Sequence, residues 1–266
     1  MKTKRRILTC VLVFMLSIFL YGCVLIERVP EKQITLETTA MPASEMPSVP
    51  TAKPVKCVVI DPGHQKDGNP EMEPIGPGAA EQKAKVTTGT TGCVTGVPEY
   101  ELNLQISLQL KEELEERGYR VVMTRETNDV DVSNVERAEI AERAEGDVFV
   151  RIHANGSDDS TKEGVMTICM TKDTPYHPEL YRDSYFLSQV ILEHLVERTG
   201  SVREYIWETD TMSGINWATI PVTIVEVGYM TNEKEDYLLE TPEYQKKVVL
   251  GIADGIDEYF RTVEIP

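Results

Sequence analysis

The chain is short of the residues that most often build metal and redox sites. It has four histidines in 266 residues and five cysteines, none in C-x-x-C spacing. That spacing gap argues against a cysteine-based zinc site. With Cys10 and Cys23 in the leader, only Cys57, Cys93 and Cys169 remain, so no full disulfide framework is available, although one bridge stays open. Cys57 and Cys169 lie in apolar runs and read as small buried hydrophobes. Positive charge is also scarce. With 27 Lys and Arg against 44 Asp and Glu, no basic surplus exists to neutralise phosphates, which argues against a nucleic-acid partner. There is no internal repeat and no H-E-x-x-H motif, and the length allows one or two domains.

What is present begins with a leader. Lys2, Lys4, Arg5 and Arg6 precede an apolar run over 7–20 and then Tyr21-Gly22-Cys23. A basic start, a short apolar segment and a small residue before the break describe an export signal. Leu20-Tyr21-Gly22-Cys23 resembles the bacterial lipobox, whose cysteine is lipidated, with Tyr21 a bulky occupant. This divides the chain into a signal peptide (1–22), a tether (23–54) and a folded domain (55–266). The other reading is an uncleaved anchor, since 7–26 is about long enough to span a bilayer. Both place the remainder outside the cytoplasm, held at the outer face of the membrane. The tether, rich in Pro, Thr, Ser and Glu, reads as extended and solvated.

From residue 56 strands and helices alternate. Strand-like runs cover 56–61, 119–124, 147–152, 164–170 and 222–227, with a weaker one at 202–207. After Pro98, Leu102, Ile106, Leu110 and Leu114 share one stripe with Glu99, whereas Glu101 points away. Leu104 and Leu108 form a second apolar side, so burial on two faces is expected. Ser133-Asn134-Val135-Glu136 is a capping box that gives Glu136 a structural task. Further helices are expected over 179–199, stopped by Gly200, and from Pro242 onward. The pattern argues a single α/β domain, its mostly parallel, twisted sheet of about six strands covered by helices on both faces.

In such sheets ligands bind at the carboxyl ends of strands. "VVIDPGHQ" delivers His64 to that edge, and "DVFVRIHANG" delivers His153. Two histidines and the inward-facing Glu99 make a zinc-type donor set with an open fourth position. Each also has a bland reading: a strand-end histidine bonded on the surface, or a first-turn glutamate placed for the helix dipole. Glu226 puts a carboxylate inside the apolar strand "PVTIVEVGYMTN". That is costly unless the charge meets a metal, a partner or water. It is either an edge-strand residue facing solvent or a general base beside a zinc water. His177 and His194 are assigned no catalytic part.

"VVIDPGH", "EYELNL", "VERAEIAERA", "VFVRIHANG" and "PVTIVEVGYMTN" resemble, in order, the motifs of the zinc-dependent N-acetylmuramoyl-L-alanine amidases of the type 3 catalytic domain. The resemblance covers 56–260. It implies Zn²⁺ held by His64, Glu99 and His153, catalysis involving Glu226, and peptidoglycan as substrate. The departure is the interval 65–98, longer than is usual in the family and rich in glycine and proline. It is expected to be irregular and to rim the substrate groove. No segment suggests the inhibitory helix of some relatives. A zinc peptidase acting on stem peptides and a non-catalytic wall-binding lipoprotein remain the competing readings.

Overall fold

A computed structural model describes residues 54–263. Cys23, the signal peptide and nearly all of the tether lie outside the described residues. The strands are β1 (Cys57–Pro62), β2 (Asn69–Pro74), β3 (Gln82–Val86), β4 (Arg120–Met123), β5 (Val148–Asn155), β6 (Val165–Cys169), β7 (Arg203–Glu208) and β8 (Val222–Tyr229). The helices are α1 (Glu99–Glu116), α2 (Asn134–Arg143), α3 (Tyr181–Thr199), α4 (Ser213–Asn216), α5 (Glu233–Leu239) and α6 (Pro242–Val263).

Six strands form one sheet in the order β4-β1-β5-β8-β6-β7. All pairings are parallel except β6 with β8. The near-continuous apolar runs of β1 and β5 follow from this position, since a parallel strand covered on both faces has no solvent side. Val58, Ile60, Val150, Ile152, Val225 and Val227 belong to one core, with the inner faces of α1, α3 and α6. Val59, Phe149, Met166, Ile168 and Ile224 belong to another, with Ala141 of α2 and Ile215 of α4. Strand alternation therefore puts Arg151, His153 and Glu226 on the second face.

Several expectations hold locally. Ser133 Oγ accepts from the Glu136 N–H at 3.2 Å, while Glu136 Oε2 accepts from the Ser133 N–H at 2.8 Å. Gly200 ends α3 in the left-handed conformation at φ 71°. Cys57 and Cys169 are buried free thiols, and Cys93 is an exposed one.

Two expectations are corrected and one alternative is excluded. Leu104 is buried but Leu108 is exposed. The flank of α1 turned to α6 carries Gln105 and Gln109, which bond to Gln245 instead. Glu226 is not on an edge, because β8 lies between β5 and β6. The interval 65–98 is not irregular throughout, since β2 and β3 pair antiparallel within it. This hairpin is pinned to the domain by bonds to its own backbone. Trp217 Nε1 donates to Pro74 O, Asn216 Nδ2 to Ile75 O and Asn134 Nδ2 to Lys85 O, each at 2.8–2.9 Å.

Candidate metal centre

β1 and β5 are parallel neighbours, so their carboxyl ends open at the same edge. The Gly63 N–H donates to Ile152 O at 2.9 Å, which carries the pairing one residue past β1. A Cβ at Gly63 would sit 2.3 Å from the His153 ring, so only glycine lets the chain cross there. The next residue, His64, adopts the left-handed region at φ 59°. That turn brings its ring beside His153, with centroids 4.8 Å apart.

The turn is held from below by a buried charge cluster. Asp61, fully buried, accepts from Arg137 Nη1 at 2.6 Å, Arg151 Nε at 2.8 Å and the Thr124 hydroxyl. Burial opposes its charge, but the two guanidiniums hold its carboxyl far below the usual carboxylate range. Arg137 Nη2 also donates to His64 O at 3.0 Å, and Arg125 Nη2 to Gly63 O at 3.0 Å. Removing one partner from such a cluster strands a buried charge, which is why the strand exit has a single geometry.

Glu99 opens α1 behind Pro98 and is 3% exposed. Its Oε2 accepts from the Thr90 N–H at 2.9 Å. Its Oε1 accepts from Asn103 Nδ2 and from the Ala154 N–H, both at 3.2 Å. Oε1 also lies 3.2 Å from His64 Nε2 and 3.2 Å from His153 Nδ1. Gly89, at φ 79°, lets the hairpin's outgoing chain approach, since a Cβ there would stand 2.5 Å from Glu99 Oε2. Burial works against the Glu99 charge, but its bonds to His153 and His64 hold it well below the usual range. Burial pulls His153 down to about 4, with the charge of His64 adding to the effect and Glu99 opposing it.

His64 carries the decisive detail. Its Nδ1 donates to Thr87 O at 2.7 Å. With the proton on Nδ1, the Nε2 lone pair points at the Glu99 carboxylate 3.2 Å away. Two lone pairs face each other unless a proton or a cation lies between them. His153 Nε2 is buried without a partner among the described residues. Ligand atoms of these three side chains all lie within 4.8 Å of one another. The separations of 3.2 Å match the edge of a tetrahedron built on bonds of about 2.0–2.1 Å, which is about 3.3 Å. Two neutral imidazoles and one carboxylate therefore fit a metal cation, and Thr87 O fixes the His64 tautomer as an outer partner does.

Glu226 is the cross-strand neighbour of His153 on the same face. Its Oε2 is buried and unpartnered among the described residues. Burial, then the negative charge of Glu99, push its carboxyl well above the usual range. His177 Nδ1 lies 3.2 Å from Glu179 Oε1 and His194 Nε2 lies 2.6 Å from Glu258 Oε2, so neither joins the site. Asn103, Thr87, Thr90 and the Asp61 cluster were not singled out from sequence. Asn103 had a usable signal: a polar residue four after Glu99, on the same helix face.

A family model described as N-acetylmuramoyl-L-alanine amidase matches residues 58–258. The chain is 29% identical over 204 residues to the N-acetylmuramoyl-L-alanine amidase LytC of Bacillus subtilis (strain 168). That match covers 77% of this chain but 35% of the relative, so the chain spans about a third of that protein's length. Among solved structures, the catalytic domain of CwlV, an N-acetylmuramoyl-L-alanine amidase from Bacillus (Paenibacillus) polymyxa var. colistinus, is 28% identical. It aligns with a TM-score of 0.63, covering 78% of this chain and 99% of that one. The apo form of the N-acetylmuramyl-L-alanine amidase Ami1 from Mycobacterium abscessus aligns with a TM-score of 0.70. It is 25% identical over 77% of this chain and 98% of that one. With three quarters of its length under one family model and its His–Glu–His set at the sheet edge, the chain belongs to the N-acetylmuramoyl-L-alanine amidase family.

Proposed function

We propose that the protein is an extracytoplasmic, zinc-dependent hydrolase that cleaves the amide between the lactyl group of N-acetylmuramic acid and L-alanine in peptidoglycan. The observation that carries this reading is the Glu99 Oε1 atom standing 3.2 Å from ring nitrogens of both His64 and His153. These three side chains are the ligands. Held there, zinc would supply Lewis acidity toward a carbonyl and acidify water. Glu226 is the proton carrier: as the carboxylate it takes a proton from the attacking water, and as the resulting acid it delivers that proton to the leaving amine of L-alanine. His153 holds its ring between Glu99 and the open edge, and the left-handed His64 turn is braced by Arg137.

Product chemistry tests the assignment. Purified cell wall digested by the full chain is expected to release peptides with a free N-terminal L-alanine, read by mass spectrometry. Release of fragments cut within the stem peptide would favour a zinc peptidase. Binding without any cleavage by the metal-loaded protein would favour a wall-binding lipoprotein.

The membrane link is a separate proposal. Leu20-Tyr21-Gly22-Cys23 supports lipidation at Cys23 and attachment to the outer face of the membrane. No helix among the described residues is long and apolar enough to cross a membrane. Cys23→Ala is expected to abolish incorporation of labelled fatty acid. Undiminished labelling would remove the lipid anchor from this picture.

A further inference from the structure

The cavity beside the metal centre has an unusual wall. It measures about 350 Å³, and His64 and His153 line it together with Lys83, Ala84 and Thr87 from the hairpin segment. Thr211 lies across from them on the loop before α4. The Lys83 ammonium donates to the Thr211 carbonyl at 2.6 Å. Among the described residues no carboxylate lies within ion-pair distance of it. Glu73, its cross-strand partner in the hairpin, accepts from the Val135 N–H instead. The other cation on this wall, Arg151, is committed to Asp61 and Asn134.

Several cations among the described residues lack an ion pair, but Lys83 is the one on this wall, in a chain whose formal net charge is −17. That surplus repels anionic groups of a substrate in general, so a single positive wall beside the reacting centre is a local exception with directional consequences. The insert is what supplies it, since Lys83 lies on β3, within the interval that sets this chain apart.

We propose that Lys83 recognises a carboxylate on the peptide side of the scissile amide, the free carboxylate of the second stem residue. This inference rests on the amidase reading above and adds a specificity-determining contact to it. The choice of the peptide side follows from charge: the N-acetylated sugars next to the bond are neutral, whereas the departing peptide carries free carboxylates. Where the second residue is amidated, Lys83 meets a neutral group and loses the ion pair. The enzyme therefore discriminates between the acid and amide forms of otherwise identical substrates.

The test compares two soluble disaccharide-peptides, one with a free carboxylate on the second residue and one with an amide there, cleaved by the full chain. Wild type is expected to favour the acid form. Lys83→Gln keeps a donor for the Thr211 carbonyl but removes the charge. It should lower kcat/KM for the acid form about 10- to 100-fold, the range for a hydrogen bond to a charged group. The amide form should be little affected and zinc content unchanged, and Lys83→Arg should restore the preference. An unchanged acid-to-amide ratio in Lys83→Gln overturns the inference. So does an equal loss on both substrates, which would make Lys83 a strut between the hairpin and the 211 loop. A zinc-loaded wild type that cleaves neither substrate refutes the amidase reading itself, and this inference with it.

Discussion

Replacing His64 with alanine is expected to remove both the metal and measurable hydrolysis. His64 Nε2 is directed at Glu99 by the bond from Nδ1 to Thr87 O, so no neighbouring group can take over its position. Two donors remain after the substitution, too few to fill the three protein positions of a catalytic zinc site. A Lewis acid contributes several kcal/mol of transition-state stabilisation, which translates to a loss of about 10³-fold or more in turnover. Metal content per chain by atomic absorption and wall hydrolysis should fall together. Glu99→Gln should act in the same direction. Glu101→Gln should not, because Glu101 is exposed on the other side of α1. Full zinc occupancy in an active His64→Ala protein would falsify the ligand assignment.

Glu226→Gln is expected to separate catalysis from metal binding. The amide keeps the size of the side chain but cannot accept a proton at neutral pH. Because Glu226 Oε2 has no hydrogen-bond partner among the described residues, the substitution breaks no protein bond at that atom. Folding and zinc content should survive. General acid–base groups contribute about 10²- to 10⁴-fold, and the loss in kcat should reach that range. Turnover near the wild-type rate with zinc bound would mean that another group moves the proton. Loss of zinc along with activity would make Glu226 a support of the ligands instead.

How much of this was legible in sequence depends on how locally each feature is encoded. β1 and β5 are readable because both faces are buried, so each opens on an apolar run, 57–60 in β1 and 148–150 in β5, before its first polar residue. The capping box at Ser133 and the glycine stop at Gly200 are readable because their bonds span three or four residues. The hairpin was not readable. "NPEMEP" and "QKAKV" alternate only weakly, with two prolines in the first, and the alternation misleads because Met72 is exposed and Glu73 buried; their placement depends on Trp217, Asn216 and Asn134 from far along the chain. The site divides the same way. His64, Glu99 and His153 stand out as polar residues at strand exits or on an apolar stripe. The Asp61 cluster does not, because its arginines come from positions 125, 137 and 151 and converge only in three dimensions. Glu226 was visible as a charge in an apolar strand, but its neighbours across the sheet were needed to exclude an edge position.

The three donors come from the exit of β1, the first turn of α1 and the exit of β5, so the ring of contacts spans residues 64 to 153. Pairing β1 with β5 in parallel requires the whole crossover between them to be in place. Closing so long a loop is slow and is rewarded only late, when the distant strands meet. Local segments of the chain therefore offer at most one or two donors before that point. A metal ion gains its full affinity only for the completed sheet edge, so its binding energy draws the population toward the native state and away from partly assembled ones. On the metal-site reading, the ion would act as a folding ligand for this domain as well as a cofactor, and metal supply during folding would set how much protein reaches its final form.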